Sequence, residues 1–268
     1  MNVGQGFFNE QVTIPMDKAR LRIVGSGICK TIIDGTNLVG DGITMNSFLN
    51  SVENLSVQNF SSSGINITNS TNTLDKVVVK NNNEDGVMIS DSGETTSLLN
   101  QCEAIRNRRN GFNGSESDLN YFIRNKASQN QSHGFTSEDV NVFLFNDAKQ
   151  NGLNGLSFVD ENICIENCAL NNKSNGFIAE DDDNLWFLNK AIGNSLNGID
   201  TEFDCNIIWG NVCNNNKGDG IKLVSEDNRV IKNICQMNRG NGIQLNEEVE
   251  SIIDHNCIEN NLEAGILL

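Results

Sequence analysis

Hydrophobic and polar residues alternate along this chain in a pattern that repeats many times. A Gly followed by an apolar residue recurs at spacings of 21 to 25 residues, and short alternating segments bounded by Asn and Gly lie between these pairs. Such segments are typical of short β-strands joined by tight turns. The repeated Gly residues are Gly42, Gly64, Gly86, Gly111, Gly134, Gly155, Gly176, Gly198, Gly220, Gly242 and Gly265.

Asn residues keep the same register. Most repeats have an Asn four residues before the Gly, and the later repeats have another one nine residues before it. Small or apolar residues stand seven and twelve residues before the Gly, so inward positions recur at fixed places. The Asn residues four positions before the Gly are Asn82, Asn107, Asn130, Asn151, Asn172, Asn194, Asn216, Asn238 and Asn261, and those nine positions before it are Asn125, Asn146, Asn167, Asn189, Asn211, Asn233 and Asn256.

Stacking of the repeats explains this pattern. One repeat cannot bury its apolar side chains alone, whereas repeats wound on one another at ~4.8 Å bury them as columns. An inward Asn can donate its side-chain amide to the same Asn one coil on, which avoids the roughly 1–3 kcal/mol that an unsatisfied buried amide costs. We therefore predict an all-β fold, a single-stranded right-handed parallel β-helix (solenoid) of about 12 coils of ~22 residues, with three short strands per coil and Asn ladders inside. We expect one domain over residues 1–268, with opening coils at 1–41 and regular repeats at 42–268.

The beginning of the chain adds a resemblance to a known family. The residues that contribute to it are Val3, Gly6, Phe8, Glu10, Val12, Ile14, Leu21, Ile23, Gly25, Gly27, Thr31, Ile32, Ile33, Asp34 and Gly35. Together with the repeat, they resemble the pectate-lyase-like superfamily of right-handed parallel β-helices, especially its NosD-type, carbohydrate-associated branch. The resemblance implies the fold but no single activity, because this superfamily contains lyases, esterases, epimerases, phage fibres and non-enzymes.

The catalytic motifs of that superfamily are missing. The sequence contains neither of the Gln-Asp-Thr-Leu and Asp-Phe-Ile-Phe-Gly segments of pectinesterases. Pro15 is the only Pro, whereas pectate lyases usually have a Pro between their catalytic arginines and alginate epimerases use an Asp-Pro-His segment. We therefore assign no catalytic residue.

Charge limits the range of partners. The chain has 35 acidic and 19 basic residues and a formal net charge of −16, which disfavours a nucleic-acid partner. No apolar run is long enough for a membrane span, and the first residues lack the features of a signal peptide. We expect a cytoplasmic, spore-associated or phage-associated protein, with a surface location left open.

One basic cluster is a candidate ligand-binding site. Its guanidinium and ammonium groups could hold a uronate or a sulfated sugar by paired hydrogen bonds. The alternative is charge compensation, since Glu103, Lys126 and Asp147 share one repeat position on consecutive coils and could form salt bridges. The candidate ligand-binding residues are Arg106, Arg108, Arg109, Arg124 and Lys126.

Carboxylates concentrate at one turn, about four to seven residues after the Gly. A solvated row of turn residues that keeps the solenoid soluble is one interpretation, and a patch that binds Ca²⁺ weakly or docks a cationic partner is the other. No other cofactor or metal site is predicted. The strongest candidates for the patch are Glu180, Asp181, Asp182, Asp183, Glu202 and Asp204.

Two functions compete at this point. Nearly uniform coils without long insertions favour a non-catalytic structural or binding β-helix on a cell, phage or spore surface, with carbohydrate contact. The superfamily resemblance and the basic cluster favour a polysaccharide lyase, hydrolase or epimerase that acts on an acidic glycan. A groove lined by Arg and two convergent carboxylates would favour the enzyme. Unpaired end coils also predict end-to-end or edge association between copies.

Overall fold

A computed structural model describes residues 1–69, 71–90, 96–246 and 250–267. These residues form short β-strands and no helix, so none of the described segments is a helix with the length and apolarity of a membrane span. The chain divides into two compact units, unit 1 (Met1–Glu138) and unit 2 (Asp139–Leu268). The longest repeat, of 25 residues, runs from Gly86 to Gly111, and its residues 91–95 lie outside the described residues, as do residues 247–249 of a later turn.

Over the described residues, each unit contains 18 strands in three parallel sheets, named A, B and C, and the strands of unit 1 are the following. Sheet A has β1 (Asn2–Val3), β4 (Arg22–Gly25), β7 (Ser51–Glu53), β10 (Thr73–Asp75), β13 (Leu98–Asn100) and β16 (Tyr121–Ile123). Sheet B has β2 (Gly6–Phe8), β5 (Thr31–Asp34), β8 (Ser56–Gln58), β11 (Val78–Lys80), β14 (Glu103–Ile105) and β17 (Lys126–Ser128). Sheet C has β3 (Val12–Ile14), β6 (Ile43–Met45), β9 (Ile65–Ile67), β12 (Val87–Ile89), β15 (Phe112–Gly114) and β18 (Phe135–Ser137).

Unit 2 repeats this arrangement with 18 further strands. Sheet A has β19 (Val142–Leu144), β22 (Ile163–Ile165), β25 (Leu185–Phe187), β28 (Ile207–Trp209), β31 (Arg229–Ile231) and β34 (Ile252–Asp254). Sheet B has β20 (Asp147–Lys149), β23 (Cys168–Leu170), β26 (Lys190–Ile192), β29 (Val212–Asn214), β32 (Ile234–Gln236) and β35 (Cys257–Glu259). Sheet C has β21 (Leu156–Phe158), β24 (Phe177–Ala179), β27 (Ile199–Thr201), β30 (Ile221–Leu223), β33 (Ile243–Leu245) and β36 (Ile266–Leu267).

Equivalent repeat positions face one another from coil to coil. Val87 pairs with Ile65 on one side and with Phe112 on the other, in the register that the Gly spacing predicts. Phe112 and Phe135 stack with ring centroids 4.9 Å apart and planes within 10°. The prediction of a parallel β-solenoid with three strands per coil and 12 coils is confirmed.

The repeated Gly is required by close packing between coils. A Cβ atom built on Gly198 would lie 2.5 Å from the carbonyl oxygen of Gly220 and 2.9 Å from the Cβ atom of Cys213. Such distances are far below van der Waals contact, so a larger residue would force the coils apart. The Gly therefore sets the spacing between coils at this corner.

Both predicted Asn ladders are present in the interior. The Asn189 side-chain amide donates to the Asn211 Oδ1 atom at 3.0 Å and to the Cys164 carbonyl at 2.9 Å, and the Asn189 backbone N–H donates to the same Oδ1 atom at 2.8 Å. Asn194 makes the equivalent bonds to Asn216 and Ala169. Each Asn therefore joins three coils through otherwise unsatisfied buried groups.

A third Asn file, which the sequence analysis missed, precedes sheet A. Asn184 accepts from the Asn162 N–H at 2.9 Å, and its own N–H donates to the Asn206 Oδ1 atom at 3.0 Å. Its amide also donates to the carbonyls of Asp181 and Asp182, so this file closes the turn before sheet A. It recurs 14 residues before the repeated Gly, so the sequence does contain the pattern.

Candidate functional site

A basic pocket of about 480 Å³ opens on the outer surface of unit 1. The pocket lies where the sheet B strands begin, directly after the turns that lead from sheet A. Three of its residues are cationic and one is a carboxylate. The lining residues are Gly27, Ile28, Asn54, Lys76, Val78, Gln101, Glu103, Arg124 and Lys126.

One turn position supplies four of these side chains from four coils. Asn54, Lys76, Gln101 and Arg124 each follow a sheet A strand and have left-handed backbones, with φ between 53° and 54°. Because the turn is the same in each coil, their side chains leave the solenoid in the same direction. Residues 26–30 join β4 to β5 by a longer connection than the later turns have, and Ile28 in this connection forms part of the pocket wall.

The two lysines of the pocket make weak surface contacts. Lys126 Nζ lies 3.3 Å from Glu103 Oε1, and Lys76 Nζ lies 3.2 Å from the neighbouring Asp75 Oδ2. Both lysine side chains are more than half exposed, and ion pairs of this kind contribute about 0–1 kcal/mol. A ligand carboxylate could therefore replace these partners at little cost.

The structure divides the predicted basic cluster. Arg124 and Lys126 lie in the basic pocket, whereas Arg106, Arg108 and Arg109 are not among its lining residues. Arg106 follows β14 and is three residues beyond Glu103, which corresponds to about 10 Å along a strand. Its Nε atom donates to Gln129 Oε1 at 2.9 Å.

The remaining two arginines lie in the turn from sheet B to sheet C, where both are exposed. Arg109 is close enough to Asp85 to lower the pKa of that carboxyl, although burial of Asp85 has the larger and opposite effect and raises its pKa overall. Lys76 and Gln101 are pocket residues that the sequence analysis missed. Both stand ten residues before a repeated Gly, as Arg124 does, so the repeat register could have identified them.

The predicted acidic patch occupies two consecutive turns of unit 2. The Asp182 carboxylate accepts the Asp204 backbone N–H at 2.7 Å, and the Asp204 carboxylate accepts the Glu226 N–H at 2.9 Å. Glu180 accepts from the Ser157 hydroxyl at 2.8 Å, and Asp181 accepts the Asp182 N–H at 3.0 Å. Asp181, Asp182 and Asp204 therefore accept hydrogen bonds from backbone N–H groups, as the ladder Asn side chains do in the interior.

The two other residues of the predicted patch, Asp183 and Glu202, are exposed, as Glu180 is. Asp183 takes a left-handed backbone with φ of 53°, and Glu202 lies on the turn after β27. Across the described ranges, no group of three or more His, Cys, Asp or Glu side chains is arranged to hold a metal ion. Weak Ca²⁺ binding at this patch stays a prediction.

A second pocket, of about 490 Å³, lies in unit 2 and contains the combination expected of an enzyme. Arg229 at the start of β31 lines it together with the carboxylates Asp227 and Glu250. Cys205 and Ile207 also line the pocket, and Ile207 pairs with Arg229 on the neighbouring strand. The pocket has one Arg and two acidic side chains; an Arg can pair with a carboxylate, and an Asp or Glu can act as a general acid or base.

Sheet C presents a buried carboxylate on its outward face in unit 2. Asp200 is only 6% exposed, and its Oδ2 atom accepts from the amides of Asn197 at 2.9 Å and Asn175 at 3.3 Å. Burial raises the pKa of Asp200, and Lys222, whose Nζ atom lies 3.9 Å from Oδ1, partly opposes this effect. These contacts make Asp200 a structural element of the sheet rather than an open binding group.

Comparison with known proteins identifies similar folds. The family model described as a right-handed beta helix region matches residues 41–192 and 154–268. The A-modules of the mannuronan C-5 epimerases AlgE4 and AlgE6 from Azotobacter vinelandii are similar, with TM-scores of 0.61 and 0.62 and 13% and 14% identity. Each match covers 100% of this chain and 86% of the other.

A third similar structure is the catalytic domain of Agl-KA. Its TM-score is 0.60 at 11% identity, and the match covers 99% of this chain and 62% of that domain. Comparison with curated protein sequences gives no match. At these identities the similarity concerns the fold alone.

Proposed function

The chain belongs to the family of right-handed β-helix regions, which confirms the predicted superfamily and handedness, whereas its NosD-type branch stays a prediction. On this premise we propose that the chain is a non-catalytic β-helix that binds an anionic carbohydrate in the basic pocket. One observation carries the proposal. Three cationic side chains from two coils line a single pocket on a chain whose net charge is −16. A cationic site on such a chain favours an anionic ligand.

The pocket residues match the groups of a uronic acid. Arg124 offers paired donors to a carboxylate, and Lys76 and Lys126 add positive charge to the pocket. The amides of Asn54 and Gln101 can exchange hydrogen bonds with sugar hydroxyls. The volume of about 480 Å³ is within the usual range of small-molecule sites.

The comparisons support the class of ligand without assigning it. Two of the similar structures are named as mannuronan C-5 epimerases, and mannuronan is a polymer of a carboxylate-bearing sugar. The β-helix fold supports many activities, so the ligand must be argued from the pocket itself. A soluble oligouronate is the appropriate probe.

The test is a titration of the full chain with a uronic-acid oligomer and with a neutral oligomer of equal length. We expect the charged oligomer to bind more tightly, and Arg124→Gln to weaken its binding at least tenfold, since a charge-assisted bond to the ligand is lost. Arg108→Gln is the matched control, because Arg108 is an exposed arginine of unit 1 outside the pocket, and it should change binding less than twofold. Equal affinity for both oligomers, or equal effects of the two substitutions, would contradict the proposal.

The second pocket supports a competing function, an enzyme that acts on an acidic polysaccharide. Asp227 or Glu250 would exchange a proton with the sugar, and Arg229 would bind its carboxylate. A panel of uronate and neutral glycans, assayed with and without Ca²⁺, separates the two functions. Turnover that is lost in both Asp227→Asn and Glu250→Gln would replace the binding proposal, whereas absence of turnover across the panel supports it.

A further inference from the structure

The basic pocket is one end of a larger cationic surface on sheet B of unit 1. The middle residue of each of β8, β11, β14 and β17 is buried in the core, so the first and third side chains point outward, and a left-handed turn residue lies on either side of each strand. At these positions, all of which the structure describes, the charged residues are five cations and one carboxylate, although the whole chain has a net charge of −16. We call this surface the basic face, and its charged residues are Lys76, Lys80, Glu103, Arg106, Arg124 and Lys126.

The cations of the basic face lie at two opposite edges of the sheet. Three of them line the basic pocket, where the strands begin. Lys80 ends β11 and Arg106 follows β14, so both lie where the strands end. Lys80 pairs with Ile105, the residue before Arg106, which places the two cations beside each other on neighbouring coils. We call them the edge pair, and on the dimensions of a parallel sheet their Cα atoms are about 11–12 Å from that of Lys126.

The edge pair has donors to offer to a ligand. Among the residues that the structure describes, no carboxylate forms an ion pair with Lys80 or Arg106. The Arg106 Nε atom donates to Gln129 Oε1 at 2.9 Å, which holds the guanidinium at this edge and leaves its two Nη groups as donors. Asp34 occupies the position of Lys80 two coils earlier, but its carboxylate already accepts from the Gln58 amide at 2.9 Å.

The surface between the basic pocket and the edge pair is uncharged. Ile105 and Ser128 are the last residues of β14 and β17, and their side chains point outward there. An acidic group held over Ile105 would lose its hydration without gaining a partner. A sugar ring can lie at this place instead, with one of its hydroxyls hydrogen-bonded to that of Ser128. Acidic groups are therefore favoured at the two edges of the sheet and disfavoured between them.

We propose that the ligand of the basic pocket is an oligosaccharide that crosses sheet B, and that Lys80 and Arg106 bind its second acidic group. The inference rests on the proposed function, since the first acidic group occupies the basic pocket. A single sugar ring is too short to meet both groups of cations at a separation of about 11–12 Å. The acidic groups therefore belong to the first and third units of a trisaccharide.

Two kinds of glycan present acidic groups in this way. One is a polymer of a single acidic sugar whose successive units face opposite sides, and the other is a polymer in which acidic and neutral sugars alternate. Both have the same chemistry at the two sites, which is a pair of carboxylates separated by one unit. Arg106 can donate to its carboxylate through both Nη groups, and Lys80 adds a second positive charge.

Calorimetric titration of the full chain with acidic oligosaccharides of increasing length tests the proposal. We expect a uronic-acid trimer to bind roughly fivefold or more tightly than the dimer, because only the trimer reaches the edge pair. A trimer with a neutral middle unit should bind at least as tightly as the uniform trimer, and tighter binding would identify the alternating polymer as the ligand. A low protein concentration limits end-to-end association between copies, which stays a prediction.

The double variant Lys80→Gln/Arg106→Gln removes the edge pair without a foreign residue. Gln58 and Gln129 occupy the same two positions on neighbouring coils, and Gln129 has the left-handed backbone of Arg106, with φ of 57° against 56°. We therefore expect a folded protein, which far-UV circular dichroism checks. Its affinity for the trimer should fall to about that for the dimer, whereas its affinity for the dimer should change less than twofold.

A control with the same loss of charge is Lys18→Gln/Arg20→Gln. Both residues are exposed in the connection from β3 to β4 of unit 1, and Arg20 is also left-handed, with φ of 60°. This variant should weaken binding of the trimer less than twofold. An equal loss in the two double variants would overturn the proposal, because net charge alone would then explain the effect.

The length series separates failure of this inference from failure of the proposed function. Equal affinity for dimer and trimer, or an edge-pair variant that loses affinity for both, would overturn the proposal. If Arg124→Gln still weakened binding in that case, the basic pocket would remain the ligand site. Weaker binding of the trimer with a neutral middle unit would also overturn the proposal, since the middle acidic group would then be bound. Absence of binding by every acidic oligomer would contradict the proposed function and this inference together.

Discussion

The interior and the outer surface of this solenoid obey different rules. Inside, Asn189 meets Asn211, which is the same residue one coil on, and the bonds between them repeat with distances that differ by about 0.1 Å. Outside, the turn position after sheet A changes from Glu166 to Leu188 to Gly210 over three coils, while its left-handed backbone is constant. An inward residue must match its own copy, whereas an outward residue meets solvent or a partner and is free to differ. Repetition therefore describes the fold, and departures from repetition describe the binding surfaces.

The largest expected effect, and the strongest test of this difference between interior and surface, comes from enlarging a repeated Gly. Gly198→Val should reduce the free energy of unfolding by roughly 3 kcal/mol or more, because its Cβ atom would meet the backbone of the next coil at 2.5 Å. Gly210→Ala is the control, since its Cβ atom would contact only the mobile end of Leu188, and it should lose about 1 kcal/mol to backbone strain. Urea unfolding followed by circular dichroism measures both. Equal losses would contradict the interior packing described here.

The next largest effect should come from an Asn ladder. Asn194→Ala removes the Oδ1 acceptor of both Asn172 donors, at 3.0 and 3.1 Å, and leaves them buried. We expect a loss of about 2–4 kcal/mol in the free energy of unfolding. Asn171→Ala instead changes the exposed residue that precedes Asn172 in the chain, and it should reduce the free energy of unfolding by less than about 1 kcal/mol. A similar, small loss in both variants would show that the ladder does not stabilise the fold.

A substitution at an outward position of the basic pocket should change ligand affinity more than it changes stability. Lys126→Gln removes an exposed ion pair with Glu103, so the free energy of unfolding should change by less than about 0.5 kcal/mol. Affinity for an oligouronate should nevertheless fall several-fold, because a pocket cation is lost. Calorimetric titration measures the affinity for the oligouronate, and thermal unfolding of the same preparation measures the stability. If Lys126→Gln loses stability but keeps its affinity, Lys126 stabilises the fold and does not bind the ligand.

The smallest effect concerns Asp200, whose position is outward but buried. Burial raises the pKa of Asp200 above its ordinary value of 3.8, so its protonated form favours the folded state. This contribution is fully present below pH 3.8 and is lost as the pH rises through the folded-state pKa. The free energy of unfolding of the wild-type protein, measured by urea unfolding, should therefore decrease relative to that of Asp200→Asn as the pH rises from 3 to neutrality.

Lys222 provides a way to sharpen that measurement. Its positive charge lowers the pKa of Asp200 and opposes the effect of burial. Lys222→Gln should therefore extend the pH-dependent loss of stability to higher pH, while Asp200→Asn should abolish it. Identical pH profiles for wild type and both variants would show that Asp200 has the same pKa in the folded and unfolded chains.

The interior could be predicted from the sequence because each position is repeated in nearly every coil. Eleven copies of the Gly pattern give the register, and the register places Val87 beside Ile65 and Phe112 without further information. The third Asn file escaped notice although Asn162, Asn184 and Asn206 keep the same register. Its role depends on which carbonyls the turn presents, and those are known only once the turn is built.

The binding surfaces were harder to predict for a physical reason. Arg106 and Arg124 look like neighbours in the repeat, but one follows sheet B and the other follows sheet A, so their side chains lie at opposite ends of the sheet B strands. Lys76 joins Arg124 only because both occupy the same turn position. The apolar outward residues of sheet A in unit 2, such as Ile165 and Trp209, were overlooked because they alternate with core residues along each strand. Alternation separates inward from outward positions only when one of the two sides is polar.

Exchange of the Asn side-chain amides with deuterium, measured by nuclear magnetic resonance, tests the central claim most directly. The claim is that inward Asn residues donate to their copies on the next coil throughout the solenoid. It predicts that the amides of Asn194 and Asn211 exchange at least about a hundred times more slowly than that of the exposed Asn171, because exchange requires the coils to separate. Equal exchange rates at these three residues would contradict it.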